Sequence, residues 1–150
     1  MLRIVTLTVF LALSFSCTRI APAGFWEDFK SDLVTGSSND HGPWGGHRIM
    51  NWASESTSTF SSKEIIAFAL EHGWEMVDSL TLNEGGVDAF LMRDDHLNIT
   101  AEITGKSKAY VFKTGWIVVD PGTDETNDVN GFVVINETGT EMLVYHLWGE

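Results

Sequence analysis

Two periods run along the chain. The apolar positions Ile65, Ile66, Ala69 and Leu70 recur at helical spacing, with Ser61 before them, Glu64 three residues after Ser61, and Gly73 behind. A capping serine, an acid at the third helical position and a glycine stop predict a helix over 62–72. After Gly73 the period falls to two. Residues 74–82, the turn Asn83-Glu84-Gly85-Gly86 and residues 87–93 predict a hairpin. Leu97, Ile99, Ala101 and Ile103 alternate with Asn98, Thr100, Glu102 and Thr104, as in a strand with one wet face. Two apolar runs, 109–112 and 116–119, lie around a Thr114-Gly115 bend. Runs 131–136 and 141–148 flank Glu137-Thr138-Gly139-Thr140 as a second hairpin. Upstream, Phe25, Trp26, Phe29 and Leu33 alternate with Glu27, Asp28, Lys30 and Asp32, which predicts a short amphipathic helix over 25–34. Residues 36–62, rich in Gly, Ser, Thr and Asn, predict a long irregular stretch. Strands that follow one another without intervening helices predict an α+β fold. Its antiparallel sheet has about six strands, with one main helix packed on it and a short N-terminal helix.

The N-terminus reads as an address. Met1-Leu2-Arg3 gives a positive start, and residues 4–15 are apolar and uncharged. That run has about a dozen residues, whereas a membrane-spanning helix needs roughly 20. It has the form of a secretory signal. Leu13-Ser14-Phe15-Ser16-Cys17 resembles the lipobox of bacterial lipoproteins, with Ser14 and Phe15 as departures from the usual residues. The resemblance implies a signal over 1–16, a lipidated Cys17, a tether over 17–24 and a globular domain over 25–150. More than one acyl chain on Cys17 suffices for stable anchoring. The expected address is the bacterial envelope, at the outer membrane or its periplasmic face. Thr18 follows Cys17, where enteric lipoproteins kept at the inner membrane carry Asp. Ala21-Pro22-Ala23 is the competing site, and cleavage there leaves a soluble secreted or periplasmic protein beginning at Gly24.

Composition changes the picture in two ways. Of the 150 residues, 43% are hydrophobic and 11% aromatic, enough for one domain with a real core. Nine Lys+Arg against 21 Asp+Glu give a formal net charge of -12, and loss of Arg3 with the signal takes it to -13. Such acidity argues against nucleic acid and anionic lipid headgroups as partners and points to a protein partner with a basic surface. The single Cys excludes a disulfide framework within the chain.

The helix, Gly73-Trp74-Glu75 and hairpin stretch over 63–93 is similar to small bacterial domains of unknown function, in which a helix ends in Gly-Trp-Glu and a hairpin closes near a basic residue, here Arg93. The similarity spans 63–93 alone. It implies a helix on an antiparallel sheet and no chemistry.

Catalytic signatures are missing from the sequence: no nucleophile elbow, no HExxH, no phosphate loop and no dinucleotide fingerprint. No cofactor is expected. The densest chemistry lies in residues 40–52, where His41, Trp44, His47, Arg48 and Trp52 sit among Gly42, Gly45 and Gly46. Aromatic plates and a cation on a glycine-rich loop make these five the expected contact residues. The rival reading folds Trp44 and Trp52 back as core plugs. Asp40, His41 and His47 supply too few ligands for a zinc site. Asp128, Asn130 and Glu137 fall at the third, fifth and twelfth places of a calcium loop, but Thr126 stands where its first ligand belongs. His146 shares the alternation of Met142, Val144 and Trp148 and is expected to be packed. Asn98 and Asn136 match glycosylation acceptors. The expected function is a non-enzymatic envelope binding module, in one form an inhibitor or immunity-type protein. The alternative is a small periplasmic hydrolase or metal-dependent enzyme using the His/Trp segment, which requires its side chains to converge in a concave pocket.

Overall fold

Runs 131–136 and 141–148 are apolar at nearly every position because the strands that carry them lie inside a sheet covered on both faces. The computed structural model describes residues 22–87, 103–119 and 122–149. Strands β1 (Val34–His41), β2 (Gly45–Ala53), β3 (Glu75–Leu82), β4 (Ser107–Val119), β5 (Thr126–Asn136) and β6 (Glu141–Gly149) form one sheet in the order β1-β2-β6-β5-β4-β3. Neighbouring strands are antiparallel. The one parallel pairing joins Val118 to Gly149, where the end of β4 reaches β6. Helix α1 (Ser62–Glu71) connects β2 to β3, which lie on opposite sides of the β6-β5-β4 centre.

Adjacent residues of β5 and β6 point to opposite faces. Val133, Ile135, Met142 and Val144 therefore join one core cluster, while Val134, Leu143 and Tyr145 join another. The first cluster holds Trp26, Phe29, Met50, Trp52, Trp74, Tyr110 and Phe112, together with Ile65 and Ala69 of α1. The second holds Ile49, Val87 and Ala109. The expected helix is present: Glu64 N–H donates to Ser61 Oγ at 3.3 Å, and the chain turns at Gly73 with Trp74 N–H on Ala69 O at 3.0 Å. The Glu64 carboxylate does not close a capping box. It pairs with Lys30 Nζ at 2.9 Å.

Five sequence expectations are corrected. The helix over 25–34 is two short 3-10 turns, Gly24–Asp28 and Ser31–Leu33, broken at Lys30, whose backbone is left-handed. Trp26 and Phe29 are three residues apart, the spacing that a 3-10 turn puts on one side, and both rings are buried. The irregular stretch over 36–62 is largely the β1–β2 hairpin. β1 is an edge strand, exposed along most of its length, so it carries no apolar alternation to reveal it. The hairpin partner of 74–82 is not 87–93. β3 pairs with β4, and Gly86 and Val87 carry helical backbone, while 88–93 lie outside the described residues. Runs 109–112 and 116–119 are one strand, β4, with its register interrupted between Lys113 and Val118. Of the strand expected over 97–104, Ile103 and Thr104 are not strand and the rest is outside the described residues. The 131–148 hairpin is as expected, with Asn136 Oδ1 accepting from Thr140 N–H at 2.9 Å to hold its turn. Asn136 is buried and its Nδ2 donates to Thr140 Oγ1, so its amide is not free for glycosylation. Asn98 lies outside the described residues.

Candidate functional site

The five residues expected to form a contact surface divide between surface and core. Pro43 and Trp44 occupy the tip of the β1–β2 hairpin, closed by Gly42 N–H on Gly45 O at 2.7 Å. Trp44 is 76% exposed, the most open large apolar side chain among the described residues. His41 is exposed beside it, and His47 is half-buried. Asp40 and His47 are cross-strand partners, as are His41 and Gly46, so the two histidines face opposite sides of the hairpin. They do not converge as paired ligands or as an acid–base pair. Trp52 is 1% exposed and donates its indole N–H to Phe29 O at 2.8 Å, so it is a core plug. Arg48 is buried on the same side as Met50 and Trp52.

The hairpin tip does not project alone. Gly45 pairs with Gly149, and Gly149 with Val118. With strands about 4.8 Å apart, the backbone beside Trp44 lies about 10 Å from Val118. Trp116 and Ile117, just before Val118, are also exposed. Trp44, Trp116 and Ile117 thus share one end of the sheet. Gly149 fastens this end, since a Cβ there would meet Trp44 O at 2.0 Å. Asp40, Asp124 and Glu125 are exposed around it. Trp116 carried no sequence signal as a surface residue, because it sits in an apolar run that reads as core.

Beneath this end lies a buried polar cluster that no local motif announces. Arg48 of β2 and His146 of β6 are cross-strand partners. Arg48 Nη1 donates to Glu27 Oε1, from the first 3-10 turn. His146 is 0% exposed, with Trp74 and Trp148 rings 5.5 and 5.2 Å from its own. Thr114 Oγ1 donates to Asn130 Oδ1 at 2.7 Å and accepts from Trp116 N–H at 3.3 Å. Its 3.0 Å contact with His146 Nε2 is then completed by a ring N–H donor, which makes Nε2 the protonated nitrogen. His146 Nδ1 is left buried without a partner, as are Arg48 Nε and Trp26 Nε1. Burial, and secondarily the Arg48 charge, lower the His146 pKa from 6.5 to about 4. A neutral ring held by Thr114 in the interior is a structural group and not an exposed base. The sequence signal was Arg48 in register with Met50 and Trp52, a charge on an apolar face.

The calcium-loop residues are not brought together. Asp128 pairs with Lys113 at 2.8 Å, Asn130 is spent on Thr114 and on Trp116 O, and Glu137 is beyond the far end of β5. No group of three His, Cys, Asp or Glu able to hold a metal occurs among the described residues. Comparison with family models, curated proteins and solved structures finds no match to the chain.

Proposed function

We propose that the protein is a non-enzymatic interaction module of the bacterial cell envelope, held at the membrane by lipid on Cys17. The observation that carries the binding role is the exposure of Trp44 at a fastened hairpin tip, at the same end of the sheet as the exposed Trp116 and Ile117. An aromatic ring left in water by a chain that buries Trp26, Trp52 and Trp74 is a strong anchor for a partner. The exposed acids Asp40, Asp124 and Glu125 would steer a basic protein surface toward those rings. An inhibitor or immunity-type role is one form of this reading. The sheet serves as the scaffold, with α1 braced on it through Ile65 and Ala69. Among the described residues no helix is long and apolar enough to cross a membrane.

Two measurements test the proposal. Trp44→Ala is expected to weaken capture of an envelope partner by the mature protein about ten-fold or more, at unchanged melting temperature. Undiminished capture by the folded variant would remove the hairpin tip as the contact. Labelled palmitate is expected to enter the wild-type protein and not Cys17→Ser. An intact mass matching an unmodified chain that begins at Gly24 would overturn the anchor.

A further inference from the structure

A concave site lies at the end of the sheet opposite Trp44. A cavity of about 270 Å³ is bounded by the start of α1 and by β3, β4 and β5. Thr81, Lys108 and Ile135 are cross-strand partners in one row, and all three line it. Ser62, the first residue of α1, lines it as well, tied to the β4 residue Tyr110 by a hydrogen bond. Lys106 and Ser107 complete the β4 side, with Asn136 and Glu137 at the turn. The size suits a small solute and falls below that of drug-sized pockets.

The donors there outnumber the acceptors. Lys30, Arg48 and Lys113 are held in ion pairs with Glu64, Glu27 and Asp128. The described cations with no such pair among the described residues are Lys63, Lys106 and Lys108. Two of them line the cavity, and the third follows Ser62 in sequence. Tyr110 donates its hydroxyl hydrogen to Ser62 Oγ, which leaves the Ser62 hydrogen for another acceptor. Ser107 borders the cavity from within β4, but its side chain, next to Lys108, points to the opposite face of the sheet with Ala109 and Leu82, so the ammonium groups and the Ser62 and Thr81 hydroxyls are the donors there. The positive end of the α1 dipole lies at Ser62 and adds to the same sign. Against these stands one lining carboxylate, Glu137, since the Asn136 side chain is spent on Thr140 and Glu141 within its own turn.

We propose that this cavity binds a phosphate group carried on a small solute. Ammonium groups and hydroxyls arriving from the helix and from separate strands suit an acceptor with three oxygens more than a flat carboxylate. The net acidity of the chain does not forbid this. Charges beyond about 10 Å are screened at physiological salt, and the lining is locally cationic. The site is separate from the Trp44 end and does not depend on the reading given there.

The test is an amide NMR titration of the mature protein with inorganic phosphate, against sodium chloride of equal ionic strength. Saturable shifts are expected at Ser62, Lys63, Ser107 and Lys108 with phosphate and not with chloride. Lys106→Gln combined with Lys108→Gln is expected to weaken binding about ten-fold or more, and Ser62→Ala to weaken it at unchanged charge. A parallel arm uses phosphatidylglycerol vesicles against phosphatidylcholine vesicles. Shifts with the former alone would assign the phosphate to a lipid headgroup and overturn the small solute as its carrier. No saturable shift in either arm would overturn the proposal, as would equal shifts with chloride or unaltered affinity in the folded double variant.

Discussion

Trp74→Ala is expected to lower the unfolding free energy by about 3–5 kcal/mol, the range for truncating a buried aromatic ring. Trp74 is 3% exposed, and its ring centroid lies 5.5 to 5.7 Å from those of Phe25, Trp26, Phe112 and His146. It joins α1, the N-terminal turns and the middle of the sheet at one point. Its ring also packs against Gly131, where a Cβ would come within 2.8 Å of it. The glycine has no side chain with which to fill the space that the indole leaves. A loss of this size is a large share of the roughly 5–15 kcal/mol that holds a domain folded. Urea denaturation followed by circular dichroism measures it. A change below about 1 kcal/mol would show that the ring is not a core element. Trp74→Phe is expected to recover part of the loss, since it keeps a ring in the same place.

What was legible in the sequence was local. Ser61 and Gly73 bound α1 because capping and helix termination are decided within a few residues. The 131–148 hairpin was legible because its turn and both strands are contiguous. β1 was not, because an exposed edge strand built from Thr35, Gly36, Ser37, Ser38 and Asn39 has the composition of a loop. The partner of β3 was mistaken for the same reason in reverse. A nearby apolar run is the default hairpin partner, yet Leu82 pairs with Ser107. The candidate site divided along the same line. Trp44 and Trp52 are eight residues apart in one segment, and their spacing does not say which is exposed. Position in the hairpin decides it: Trp52 is paired on both sides, with Val34 of β1 and Met142 of β6, while Trp44 stands past the last cross-strand pair. The cluster of Glu27, Arg48, Thr114, Asn130 and His146 draws on four strands and a turn, so no window of sequence contains it.

That cluster makes stability depend on pH. In the folded protein His146 is neutral, with a pKa lowered to about 4 by burial and by Arg48. Unfolded, it titrates at the ordinary 6.5. Between these values the unfolded chain takes up a proton that the folded chain refuses, so lowering the pH favours unfolding. The stabilisation is complete above pH 6.5, is lost as the pH falls, and levels off below about 4. The full difference is about 3 kcal/mol, of which about 2 kcal/mol falls between pH 7 and 4.5. The geometry gives the same sign. A proton on Nδ1 would create a second ring donor with no acceptor, in a buried site whose nearest charge is the Arg48 guanidinium. Glu27 is already engaged by Arg48, and Thr114 and Asn130 are neutral. His146→Gln removes the titration while keeping an N–H at the Nε2 position that can reach Thr114. Urea unfolding of wild type and variant at pH 7 and 4.5 isolates the His146 share from that of the carboxylates. Wild type is expected to lose about 2 kcal/mol more than the variant. Parallel losses in the two proteins, or a His146 ring resonance titrating near 6.5, would show that the imidazole is not held neutral by its surroundings.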